Sequence, residues 1–264
     1  MKPLTAYDKH AGKPYLRWTA NERMQHWLLA GSFIILAVTG FALKYPQAWW
    51  VRPFFGPEWL FDLRSLLHRI AGSVFTVLGV YHFYYMVGTL RGRQLLAAFR
   101  LRMQDLRDAR QNISFNLGLR KAPPAFDHFN YTEKFEYWAL IWGAFIMTGT
   151  GLMLWFEETT MRLLPRWVID LLTVIHLYEA WLATLAIVVW HFYAVIFSPQ
   201  TYPLNTSMLD GRMSEAEMLA EHGLEWEALK AGMKPQSAEQ DETADLRAQT
   251  GPSQSLCVDD HGGD

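Results

Sequence analysis

Four long stretches without a charged side chain constrain this chain more than anything else in it. Residues 24–43, 70–90 and 137–156 carry no Asp, Glu, Lys or Arg, and between 171 and 209 the only charge is Glu179. A helix rises about 1.5 Å per residue, so each stretch can cross a hydrocarbon layer of about 30 Å. Buried helices of a water-soluble protein would normally carry a polar stripe at helical period, and none is visible here. The expected fold is therefore an all-α membrane protein, a bundle of four transmembrane helices over about 24–43, 68–90, 134–156 and 169–199. The first stretch is too long for the apolar core of a signal peptide and no small-residue cleavage site follows it, so it reads as a retained span.

Basic residues set the expected orientation. Arg17 and Arg23 precede the first span, together with Lys2, Lys9 and Lys13. Arg91, Arg93, Arg100, Arg102, Arg107, Arg110, Arg120, Lys121 and Lys134 fill the segment between the second and third. The other two loops are poorer in Lys and Arg. By the positive-inside rule both termini and the long middle loop are cytoplasmic. Trp49, Trp50, Trp59, Trp155 and Trp167 then form a belt at the outer interface. The expected organisation is a cytoplasmic N-terminus (1–23), a four-helix domain (24–200) and a cytoplasmic tail (201–264). Residues 93–110 alternate apolar and basic side chains at helical spacing, which predicts one amphipathic helix on the inner leaflet. Residues 213–232 predict a short helix capped by Ser214 and Glu217. The polar composition beyond 233 predicts disorder.

Histidines interrupt the apolar runs. His26 opens the first, His68 and His82 lie fourteen residues apart in the second, and His176 and His191 lie fifteen apart in the fourth. At about 100° per residue, each pair returns to within ~40–60° of one helix face, separated by ~21–22 Å along the axis. With the expected topology His68 and His176 fall in the outer leaflet, and His26, His82 and His191 in the inner one. Two layers of facing imidazoles are what two stacked bis-histidine haems require. The lone cysteine, Cys257, excludes a disulfide framework, an iron–sulfur site and covalent haem attachment. A proton relay in a transporter is the alternative use of membrane histidines, but it calls for more carboxylates than Glu179 alone.

The stretches "RMQHWLLAGSFIILAVTGFAL", "LHRIAG", "FNYTEKFEYWALIWGAFIMTGTGLMLWF" and "IHLYEAWLATLAIVVWHFYAVIF" resemble the membrane cytochrome b subunits of respiratory formate dehydrogenases and nickel–iron hydrogenases. They also resemble the bacterial cytochrome b proteins found with multihaem cytochromes c. The resemblance covers residues 15–200. It implies a bundle holding two b haems in the bacterial inner (cytoplasmic) membrane, with menaquinone or ubiquinone as substrate. By position it pairs His26 with His191 and His68 with His176 as axial ligands of the haem irons. Depth alone equally allows His82 with His191; otherwise His82 lies near the inner haem or the quinone. The family's quinone motif is met by Asn130, Glu133 and Lys134, with His128 beside them. The same residues also read as a helix cap with a charged first turn. Glu179 is either a proton or propionate contact near the outer haem or a polar residue in a wet cavity. The implied role is electron transfer between the quinone pool and a periplasmic redox partner, either a multihaem cytochrome c or an iron–sulfur, hydrogenase or dehydrogenase subunit. A haem-bearing anchor without a quinone site is a further alternative. Lipid surrounds such a protein, and nucleic acid is not an expected partner.

Overall fold

A computed structural model describes residues 15–55, 57–199 and 201–232. A two-residue strand β1 (Tyr15–Leu16) leads into α1 (Ala20–Lys44). A short α2 (Arg52–Phe55) precedes α3 (Glu58–Gly88), α4 (Leu90–Ala98) and α5 (Met103–Asn116). Next come α6 (Tyr131–Trp155), α7 (Glu157–Leu163) and α8 (Arg166–Leu185), which continues as π-helix over Ala186–His191 and Tyr193–Phe197. Short elements close the chain: α9 (Ser207–Asp210), β2 (Arg212–Met213), α10 (Glu215–Glu221) and α11 (Gly223–Lys230).

Among the described residues, four helices are long and apolar enough to cross a membrane: Ala20–Lys44, Asp62–Gly88, Tyr131–Trp155 and Arg166–Phe197. Each begins several residues before the charge-free stretch that betrays it, because charged side chains occupy the first turns, as Glu22, Asp62, Glu133 and Arg166 do. Thr19 Oγ1 accepts from Glu22 N at 3.3 Å while the Glu22 carboxylate accepts from Thr19 N at 2.8 Å, a reciprocal capping box. Asn130 and Glu133 repeat the device at the start of α6. The second span gains the most, since α3 starts at Glu58 and takes Asp62 and Arg64 into its first turns. Arg64 is buried and donates to the carbonyl of Ala42, closing the last turn of α1 with a cation.

Close backbone packing runs between α1 and α3 and between α6 and α8, with only a brief approach of α3 to α6. The bundle is thus two helix pairs that meet through side chains. At one end, hereafter the basic end, the segments flanking the bundle join. β1 pairs antiparallel with β2, Tyr15 opposite Met213 and Leu16 opposite Arg212. Gly211, at φ +81°, turns its carbonyl to accept from Arg17 N and Trp18 N. A Cβ there would stand 2.5 Å from the Trp18 carbonyl oxygen, so glycine is required on two counts. Tyr85, Met86, Leu95, Phe99 and Phe129 form a core beside this junction, with Phe99 stacked on Phe129 and Tyr137.

Two expectations are corrected. Residues 93–110 are not one helix: α4 stops at Ala98 and α5 begins at Met103. Trp138 Nε1 donates to the Phe99 carbonyl, which frees that group from continuing the helix. Residues 213–232 form two helices rather than one, because the capping box of Ser214 and Glu217 starts α10 but His222 separates it from α11. The expected disorder beyond 233, Cys257 and the first lysines lie outside the described residues, as does the side chain of Trp59. Trp49, Trp155 and Trp167 are exposed at the end opposite the basic end.

Facing histidine pairs as the candidate functional site

Two pairs of imidazoles face one another between the helix pairs. At the far end His68 of α3 and His176 of α8 have ring centroids 6.4 Å apart. At the basic end His26 of α1 and His191 of the π segment are 6.3 Å apart. A metal held between two imidazole nitrogens at about 2 Å each, with roughly 1.2 Å from nitrogen to ring centre, requires about 6.4 Å. Both pairs match that span. Among the described residues no cluster of three or more His, Cys, Asp or Glu side chains could hold a bare metal ion. Two axial nitrogens per site instead suit a group that brings its own equatorial ligands, as haem does.

The far pair is built twice from one design. Thr39 Oγ1 donates to the Ile35 carbonyl at 2.6 Å, so it is left to accept from His68 Nδ1 at 3.0 Å. Thr150 Oγ1 donates to Ile146 O at 2.7 Å and meets His176 Nδ1 at 2.8 Å. In each case the hydroxyl proton is already used, which places the ring proton on Nδ1 and leaves Nε2 as the free lone pair. Glycine follows each threonine. A Cβ on Gly40 would lie 3.1 Å from His68 Cε1, and one on Gly151 3.2 Å from His176 Cε1. The Thr-Gly dipeptide of α1 and α6 therefore holds and makes room for an imidazole on α3 and α8.

The basic-end pair is asymmetric. His191 Nδ1 lies 3.4 Å from Glu136 Oε2 on α6, and His26 Nδ1 is buried without a hydrogen-bond partner. His191 ends a π turn, whose wider ring turns fewer degrees per residue than an α-helix. That offsets part of the ~60° excess that fifteen α-helical steps from His176 would accumulate. Glu136, Gly143 and Thr150 recur every seven residues on α6 and so share a face. Glu179 lies against Gly143, where a Cβ would come within 2.8 Å of its carboxylate, and it follows His176 by three residues on α8.

His82 has different company. Its Nδ1 lies 2.8 Å from Gln25 Oε1 and its Nε2 3.2 Å from the Tyr137 hydroxyl, so both nitrogens are engaged. Gln25 bonds Asn21, which bonds Tyr81, extending a chain of polar contacts across α1, α3 and α6.

The residues of the expected quinone motif are divided. Asn130 and Glu133 form the α6 cap, and Lys134 pairs with Asp105 of α5 at 2.6 Å. His128 and Lys134 both line a cavity of about 220 Å³ at the basic end, together with Arg102, Asp105 and Phe129. His128 belongs to a buried cluster that no sequence argument foresaw. Arg17 pairs with Glu225 of α11 at 2.8 Å, and His128 Nδ1 lies 2.5 Å from the other Glu225 oxygen. Arg17 also reaches the His128 carbonyl and His222 Nε2. Burial and then the Arg17 charge push the His128 pKa down to about 4 and that of His222 down to about 3. Burial works against the Glu225 charge, but its bond to His128 and the neighbouring cations hold it at about 2.

Of the sequence-derived residues, His26 meets His191 and His68 meets His176, while His82 faces no imidazole. Thr39, Thr150, Glu136, Arg17, His222 and Glu225 were missed. The repeated Thr-Gly dipeptide was the one available signal.

Four membrane-length helices with imidazoles paired across them define a membrane b-type cytochrome. The chain belongs to the prokaryotic cytochrome b561 family, whose model matches residues 17–211. It is also similar to the "Formate dehydrogenase, cytochrome b556(fdo) subunit" of Escherichia coli (strain K12), at 24% identity over 207 residues, covering 76% of this chain and 86% of that protein. The same subunit from Escherichia coli O6:H1 and O157:H7 matches with the same figures. The protein is thus a membrane cytochrome b that works in electron transfer, and its family implies b-type haem.

Proposed function

We propose that this chain is the dihaem cytochrome b subunit of a respiratory membrane complex, passing electrons between the quinone pool and a periplasmic redox partner. The two imidazole pairs at 6.3 and 6.4 Å carry this reading. His26 and His191 hold one b haem, His68 and His176 the other. When bound, each haem supplies one-electron Fe(III)/Fe(II) chemistry, and the protein supplies position and electrostatics. Thr39 and Thr150 hold the protons of His68 and His176 on Nδ1, keeping Nε2 available. His82, bonded through both nitrogens, braces α1 against α3 and α6 beside the first pair. The arginine-rich end faces the cytoplasm of a bacterial inner membrane, in keeping with the positive-inside rule. The quinone approaches at that end, near the cavity lined by His128 and Lys134, while Asn130 and Glu133 serve as the cap that fixes the start of α6. The likeness to a formate dehydrogenase subunit supports assembly with a dehydrogenase or a similar periplasmic redox protein.

Haem counting by pyridine haemochrome on the purified protein tests the assignment. Two b haems per chain are expected, one after His26→Ala and two after His82→Ala. One haem after His82→Ala, or two after both substitutions, overturns the pairing. Quinol-dependent reduction of the isolated subunit tests the quinone site, and its absence would leave a haem-bearing anchor.

A further inference from the structure

The two sites differ in what stands behind their histidines. At the far end each Nδ1 meets a neutral threonine hydroxyl. At the basic end Glu136 stands behind His191, its other oxygen is buried with no partner, and His26 Nδ1 has none either. Of the cations at this end, Arg17 pairs with Glu225, Arg91 with Glu22 and Lys134 with Asp105. An anion accepting from the Nδ1–H of an axial imidazole makes that ligand a stronger electron donor, which favours Fe(III) over Fe(II). A neutral hydroxyl exerts much less of this pull.

We propose that Glu136 is a positioning and potential-setting residue that makes the His26/His191 haem the harder of the two to reduce. This rests on the coordination proposed above. With haem bound at both sites, the downhill step for one electron would run from the His26/His191 site to the His68/His176 site, oxidising one iron as the other is reduced. That internal step favours transfer away from the arginine-rich end, while the outside donor and acceptor set the net direction.

The test is spectroelectrochemical titration of the purified, haem-loaded full chain. The wild type should show two midpoint potentials, and His26→Ala should retain only the higher. Glu136→Gln, which keeps an acceptor but removes the charge, should raise the lower potential and leave the higher in place. Glu136→Asp should restore the lower value. Unchanged potentials in Glu136→Gln with two haems bound overturn this inference alone, as does survival of the lower-potential haem in His26→Ala. If Glu136→Gln fails to hold two haems, the order of potentials read from the wild type and His26→Ala still decides. Retention of both haems by His26→Ala overturns the coordination itself.

Discussion

Across the fourth span no residue of the most apolar stretch is buried by protein, whereas at the basic end whole side chains vanish from solvent. There Met213, Met218 and Trp226 form one cluster and Tyr85, Met86, Leu95, Phe99 and Phe129 another. Arg17 and His222 are almost completely covered. The basic-end cap thus joins packed apolar clusters to a buried ion pair, and one of the clusters takes in the end of α3. The spans are held by the packing of α1 on α3 and of α6 on α8, by single hydrogen bonds such as Thr39–His68, and by whatever lies between their histidines. Membrane helices gain little from hydrophobic contact with each other, since lipid tails are equally apolar. Damage to the spans should therefore appear as lost cofactor, and damage to the cap as lost protein structure.

The largest expected effect is on the spans. His68→Ala should cut haem to one per chain and lower thermal stability, because a tightly held ligand stabilises the fold in proportion to the logarithm of its excess over Kd. Haem-to-protein ratio and melting temperature measure this. Full haem content would break the contrast.

Arg17→Ala should act on the cap alone. It strands Glu225 beside His128 in a buried site, which costs about 3–5 kcal/mol when one partner of a buried ion pair is removed. Limited proteolysis should then release residues beyond β2 while two haems remain. Loss of haem in this variant would show the two regions to be one cooperative unit.

Acid should loosen the cap before the spans. His128 and His222 have folded pKa values of about 4 and 3, below the unfolded value of 6.5. Unfolding therefore takes up protons, and stability falls as pH drops from about 6.5 toward those values, by up to about tenfold in equilibrium constant per pH unit for each histidine. Glu225 adds a loss of the same sign at lower pH, as protonation approaches its folded value of about 2. Hydrogen exchange of α11 between pH 7 and 5 should report the histidine part. Unchanged protection would mean that the cluster accepts protons without opening.

Thr150→Val should give the smallest change. Side-chain hydrogen bonds between membrane helices average about 0.6 kcal/mol, so haem stays bound but leaves the His68/His176 site faster. Transfer of haem to an apo-acceptor protein measures that rate. An unaltered rate would show that Gly151 and the helix backbone fix the ring unaided.

The spans were legible in the sequence because lipid tolerates no long polar stretch, and the histidines because each stands alone among apolar neighbours. Their meeting was legible only in part. Depth brought His82 and His26 to the same layer, and the choice between them rests on Gln25 and Tyr137 occupying both nitrogens of His82. The threonines escaped notice since a threonine in a membrane helix usually bonds only its own backbone, as Thr184 and Thr173 do here. The break between α4 and α5 has no proline or glycine to announce it; it arises from the indole of Trp138, 39 positions away. The cap was hidden by distance along the chain, with Arg17 and Glu225 separated by 208 positions.

That separation sets an order for biosynthesis. Arg17 is made before the four spans and Glu225 after them. At synthesis rates of about 5–20 residues per second, the arginine waits roughly 10–40 s for its carboxylate. Until then it stays hydrated, and β1 has no strand to pair with. Closure of the cap thus certifies that the ribosome has passed the fourth span, and a chain cut short before α11 leaves Arg17 and His128 without the Glu225 carboxylate, open to quality-control proteases.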